Sequence, residues 1–421
     1  MQAKNHLPLP DKHQSFWQLA SIQLSGWTSL PILATSVLIL QENSFYGAIL
    51  TILVGNAILW FIRLAIIAMS YKNRQSTLDI SRDYLGVIGW YCIAALCLVA
   101  TLAWFIAQTT AASTAMTRLI AFDEGPGIDQ FIQMSVLLGV ISTLLCMEGI
   151  VVLRKLCTWV FPFLLIAFVI VIFTLPFHLP EPGIAALSLS GLTLVLGTNL
   201  GMTSDLPTFF RHSKSLQTSI TALTVIQLVS LGVALLSLLF GSIITSAFQI
   251  DAPAVLSSGN SLLRIALIGL IFLSVICANV ANVYSASVGW EVIAPRSLVG
   301  RKEYLILGLG LTTLFILISN VFSMHFLLES CDSSLVNLCI VLTLGYLISR
   351  FTRRPPSSYE QRSYFFAWFL STLINTLHYA HLAKIDASPL TLSTGIILSV
   401  LFLSFVAMAL SKRAKMWIRL S

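Results

Sequence analysis

The sequence predicts an all-α polytopic membrane protein of about twelve transmembrane helices, built as a five-plus-five inverted repeat with two extra helices, the first and sixth helices being broken. Three observations carry this. Of 421 residues, 57% are hydrophobic and only 10% charged, and the mean hydropathy is +0.89. A span needs about 20 apolar residues, and runs of that length fill the chain almost end to end. The basic residues divide 21 to 3 between the two sides of such a topology. Two spans five apart in order are interrupted in similar wording, Gly26-Trp27-Thr28-Ser29-Leu30-Pro31 against Gly201-Met202-Thr203-Ser204-Asp205-Leu206-Pro207.

The predicted spans are 16–40, 46–69, 86–116, 131–152, 157–177, 187–210, 220–248, 261–293, 304–321, 334–348, 363–382 and 389–410. Residues 1–15 form a cytoplasmic tail, 16–350 a core of ten spans, 351–411 two peripheral spans and 412–421 a second cytoplasmic tail. With both termini inside, cytoplasmic segments and span ends hold Arg63, Arg154, Lys155, Arg211, Arg353 and Arg354 among others, and only Arg118, Arg264 and Lys384 fall outside. The positive-inside rule sets this orientation in a cell (inner) membrane. The net charge of +7 is therefore a topology signal, and no nucleic-acid partner is needed to explain it. The seven cysteines lie mostly within spans, without CxxC or Cys/His metal spacing, and read as small apolar fillers. No cluster of acids, histidines or metal ligands lies within the spans, so the chain reads as a non-enzyme with no resident metal or cofactor.

The first span is retained rather than cleaved, since no small-residue cleavage site follows its polar, basic leader. Its break at Ser25–Pro31 frees backbone groups that lipid cannot satisfy and that must face protein or a water-filled cavity. The second span ends at the polar loop 71–85, either an interfacial helix or a solvated turn. The third carries Trp104 and Gln108, four apart on one helix face. An indole offers a stacking surface and a carboxamide both donors and an acceptor, which suits the edge of a flat heterocycle. The alternative is a core Trp beside a Gln bonded to a neighbouring helix. The fourth and fifth spans, joined at Arg154-Lys155, carry no polar motif.

The sixth span is the pivot of the prediction. Gly197, Asn199 and Gly201 fall within five residues, followed by Thr203, Ser204, Asp205 and Pro207. Paired with the first-span break, this is the pattern of a secondary transporter's midplane site. The alternative is a small-residue packing face. Thr198 and Asn199 here, with Trp27 from the first gap, are candidate solute contacts. Asp205 is either a coupling group or the cap of the half-helix restarting at Leu206-Pro207. Glu329 and Asp332 are placed outside, as solvated loop charges before the short tenth span.

Three motifs together carry a resemblance: Trp104-Phe105-Ile106-Ala107-Gln108-Thr109, the sixth-span ending Pro207-Thr208-Phe209-Phe210-Arg211, and residues 277–287, CANVANVYSAS. In order and span placement they resemble the cytosine/purine permease family, nucleobase–cation symporters of the LeuT-type fold. The resemblance runs over spans one to ten. It implies that Trp104 stacks on a base, that Gln108 binds its edge and that Asn279 or Asn282 contacts the solute. The implied activity is alternating-access import of a nucleobase or similar planar heterocycle, coupled to Na⁺ or H⁺. An amino-acid or amine carrier on the same scaffold, or a solute receptor, are the other readings.

Two departures stand out. In the family an acid follows the sixth-span Pro, whereas here Thr208 does and the acid is Asp205. Sodium-coupled members place a Ser/Thr pair before the eighth-span Asn, where this chain has Cys277-Ala278. A thiol and a methyl are poor ligands for a hard cation. Ser274 and backbone carbonyls around Ser25 and Trp27 are what remains of a cation site.

Overall fold

Backbone within lipid must satisfy its own N–H and C=O groups, so apolar runs of this length fold as helices. The computed structural model describes residues 13–27, 36, 38–40, 43–120, 128–174, 183–248, 261–294, 298, 300–318, 324–382 and 388–420. The main helices of this set are α1 (Phe16–Trp27), α2 (Phe45–Asn73), α3 (Thr77–Ile120), α4 (Ile128–Cys146), α5 (Ile150–Thr174), α6 (Leu189–Thr203), α7 (Leu206–Phe210), α8 (Leu216–Phe248), α9 (Ser261–Ile293), α10 (Arg301–Ile318), α11 (Met324–Thr352), α12 (Ser358–Tyr379) and α13 (Pro389–Leu420). Eight of the described helices are long and apolar enough to cross a membrane, and the chain is a multi-pass membrane protein.

The two halves pack alike with their roles exchanged. Helix α1 lies against α5 and α8, while α6, its counterpart, lies against α11 and α2. Helices α3 and α9 form the most extensive contact of the fold, α9 also packing on α5 and α3 on α11. This is the five-plus-five arrangement expected of an inverted repeat. Helix α12 leans on α3 and α11, and α13 on α12. The pair is well anchored: Tyr364, Ala367 and Trp368 are buried in one apolar cluster with Ile93, Leu338 and Leu342, and the Trp368 indole donates to the Ser334 carbonyl at 3.0 Å.

Several boundaries correct the sequence expectation. The fourth and fifth spans meet at Met147–Gly149, so Arg154 and Lys155 lie inside α5; Arg154 donates to the His13 carbonyl at 3.2 Å. The tenth span is no short segment but the 29-residue α11. The loop before the third span is helical from Thr77, and a kink at Gly86 (φ 75°, ψ −172°) turns it into the long span. That backbone conformation is open essentially only to glycine. The first-span break, residues 28–31, lies outside the described residues.

Candidate functional site

Gly197, Asn199 and Gly201 do not interrupt the sixth span; α6 stays helical through all three and ends at Thr203. Glycine is tolerated in a membrane helix, whereas Pro207 has no N–H to give the Thr203 carbonyl. The break therefore falls at Ser204-Asp205, ahead of α7. A side chain takes up a freed carbonyl, Thr77 Oγ1 donating to Ser204 O at 2.7 Å, and Ser204 Oγ adds a bond at 2.7 Å to Gly201 O, which also accepts from Ser204 N. Asp205 stands at the N-cap position of α7 but makes no side-chain cap bond. Its carboxylate accepts from Ser285 Oγ of α9 instead, at 2.5 Å.

Beside this break lies a cavity of about 200 Å³, walled by α1, α3, α6, α9 and α11. Trp104, Gln108, Thr198 and Asn282 line it, as do Ala278 and Asp205. Asn282 Nδ2 donates to Gln108 Oε1 at 3.1 Å. That bond leaves the Gln108 amino group and the Asn282 oxygen without a protein partner among the described residues, a donor pair beside an acceptor. One face of the chamber is thus an indole and one edge a pair of carboxamides.

Two expected contacts lie elsewhere. Asn279 is fully buried and donates to Thr109 Oγ1 at 2.9 Å, a link between α9 and α3. Asn199 is about 100° round the helix from Thr198; with Thr198 toward the cavity, Asn199 points to α2, where its Oδ1 accepts from Arg63 at 3.2 Å. Arg63 is no span-end charge. It is fully buried within α2 and also donates to Thr203 Oγ1 at 3.1 Å and Gln227 Oε1 at 2.6 Å. The side chain of Trp27 lies outside the described residues.

Among the cavity residues that were missed are a carboxylate and a carboxamide. Asp332, expected in an outer loop, lines the chamber from α11 beside the Trp104 indole. It comes so near the α6 backbone that a Cβ at Gly201 would run into its Oδ1. Gln23 of α1 also lines the chamber; an uncharged amide two residues before the first-span gap was the available signal.

Among the described residues, the candidate cation side chains are two hydroxyls bonded to carbonyls, a thiol and a methyl. Ser25 Oγ donates to the Cys157 carbonyl at 3.4 Å and Ser274 Oγ to the Ile271 carbonyl at 3.2 Å. The Cys277 thiol meets that of Cys157, both buried, and Ala278 offers the cavity only a methyl. Two thiols where a hard cation needs oxygens do not fit sodium.

The chain matches no family model and no curated protein. Its fold, however, is shared with solved structures. Mhp1, a nucleobase-cation-symport-1 family transporter in a closed conformation with bromovinylhydantoin bound, superposes with a TM-score of 0.65 at 14% identity, over 98% of this chain and 96% of that one. A Na⁺-coupled sialic acid symporter in a substrate-bound outward-open state gives 0.60 at 11% identity, over 94% and 90%. A mutant form of the Eremococcus coleocola manganese transporter gives 0.54 at 15% identity, over 93% and 94%. The chain has the LeuT-type fold.

Proposed function

We propose that this protein is a secondary active transporter that carries a nucleobase or related small planar heterocycle across the inner membrane, both termini cytoplasmic, by alternating access. One half-bundle rocks against the other about α1 and the α6–α7 break. The observation that supports the reading most is the cavity at that break, with the Trp104 ring as a wall and Gln108 and Asn282 joined along an edge. At about 200 Å³ the chamber is smaller than the roughly 300–1,000 Å³ of drug-sized sites, in keeping with a one- or two-ring solute. Trp104 supplies the stacking face, the carboxamides read the ring edge, and Thr198 closes the α6 side.

The solute named with Mhp1 is a hydantoin, a planar ring with amide edges, which agrees with this wall chemistry. No transport step is routed through sodium, because the Ser25, Ser274 and Cys277 groups do not make an oxygen shell.

The test is uptake of radiolabelled cytosine, uracil, adenine and hydantoin by proteoliposomes. Gln108→Ala is expected to abolish uptake of whichever ring is accepted; unchanged uptake overturns the site. An amine or amino-acid carrier is the second reading, favoured by the two carboxylates in the chamber. Stabilisation by aliphatic amines but by no flat ring, in a thermal-shift panel, would select it.

A further inference from the structure

The cavity contains Asp205 and Asp332, and among its described lining residues there is no Lys, Arg or His. The two acids are not equivalent. Asp205 accepts from Ser285 and has Arg211 within electrostatic reach. Asp332 faces the Trp104 indole on one side and the α6 backbone at Gly201 on the other. One turn away along its own helix are Leu328, Glu329, Leu335 and Val336, none of them basic.

A carboxylate within a membrane bundle needs a compensating charge or donors, and the described cavity supplies Asp332 with one indole. A carboxylate pairs best with two parallel N–H groups in its own plane. A flat cation also binds well over an indole face. A ligand that meets both demands at once is a planar ring carrying an amidinium edge, a protonated ring nitrogen beside an exocyclic amino group or its open-chain equivalent.

We propose that Asp332 is the specificity-determining residue of this cavity and that the solute is taken up as a planar nitrogen cation, its N–H fork on Asp332 and its ring on Trp104. Gln108 and Asn282 then read the remaining edge. Gly201 belongs to the same device, because only a residue without Cβ lets the carboxylate sit against α6. The proposal rests on the reading of the chamber as a solute site and adds the charge of the solute to it.

Benzamidine and benzamide have nearly the same shape and differ in charge and in the N–H fork. In thermal-shift titrations of the purified full chain, benzamidine is expected to bind about 10- to 100-fold more tightly than benzamide, the range of a charge-assisted hydrogen-bond pair. Asp332→Asn is expected to erase that preference. Gly201→Ala, which keeps the carboxylate but displaces it, is expected to reduce it, and decides the matter if Asp332→Asn does not fold. Equal binding of the two probes to the unaltered protein, or an unchanged ratio in the variants, overturns the proposal. Uptake of neutral rings without any benzamidine preference would sink only the cationic solute. Failure of every flat ring, charged or neutral, to bind or move would sink the planar-solute reading and this proposal together.

Discussion

At the scale of single residues, two asparagines three apart on α9 separate solute contact from helix adhesion. Asn282 shares its amide with Gln108 in the cavity, while Asn279 holds Thr109 out of it. Asn282→Ala should raise the half-saturating solute concentration and leave the melting temperature nearly unchanged. Asn279→Ala should do the reverse, lowering stability by about 1 kcal/mol, the worth of an ordinary hydrogen bond; uptake kinetics beside detergent melting curves would separate them. Arg63 is a larger case. Its guanidinium reaches Asn199, Thr203 and Gln227, and Arg63→Ala leaves those groups short of donors in a buried site. A loss of about 2–4 kcal/mol is expected, read as a lowered melting temperature, with solute preference retained. Trp104 and Gln108 were legible as a pair because an aromatic and an amide at helical spacing are unusual inside apolar spans, whereas Asn282 came, together with Asn279, only from the family resemblance. Asp332 was not legible, because a charge flanked by a polar stretch reads equally well as the edge of the membrane; Arg63, set between Ile62 and Leu64 in an apolar run, was assigned to a span end by its sign alone.

At the scale of elements, the same ambiguity explains which helices were legible. Helix α9 has the predicted bounds, 261–293, since its apolar run has no charged interruption between Arg264 and Glu291. Helix α11 was foreshortened because Glu329, Ser330, Asp332, Ser333, Ser334 and Asn337 lower its hydropathy. Part of that polarity faces neighbours inside the bundle, Asp332 the chamber and Asn337 Thr372 of α12, while the Ser334 hydroxyl bonds back to the Ser330 carbonyl. The sixth-span gap was expected over residues 197–205 with a restart at Leu206-Pro207; the helix stays regular through the glycines and breaks only at Ser204-Asp205, where proline removes a donor. Helix α3 carries its own test at Gly86. An alanine there would be forced into a backbone region that costs about 1–3 kcal/mol. Gly86→Ala is expected to lower the melting temperature or straighten the kink, the second outcome visible as altered labelling of cysteines placed in residues 77–85.

At the scale of the whole molecule, the exchanged packing of the two halves brings α1 and α6 to one chamber, and its energetics should follow the scarcity of cation-binding oxygens among the described side chains. Counterflow of an accepted solute is expected to change little when sodium is replaced by potassium; a strict sodium requirement would show that backbone oxygens of the first-span gap suffice on their own. The buried Arg63 has a further consequence for how the chain is made. A basic side chain near the middle of a span opposes insertion by about 2.5–3.5 kcal/mol on translocon scales, and α2 emerges from the ribosome early. Asn199, Thr203 and Gln227, which accept from its guanidinium, are synthesised 136 to 164 residues later. The Arg63 guanidinium therefore gains its Asn199, Thr203 and Gln227 partners only once α6 and α8 have been made, which puts these bonds between the two repeats late in biogenesis.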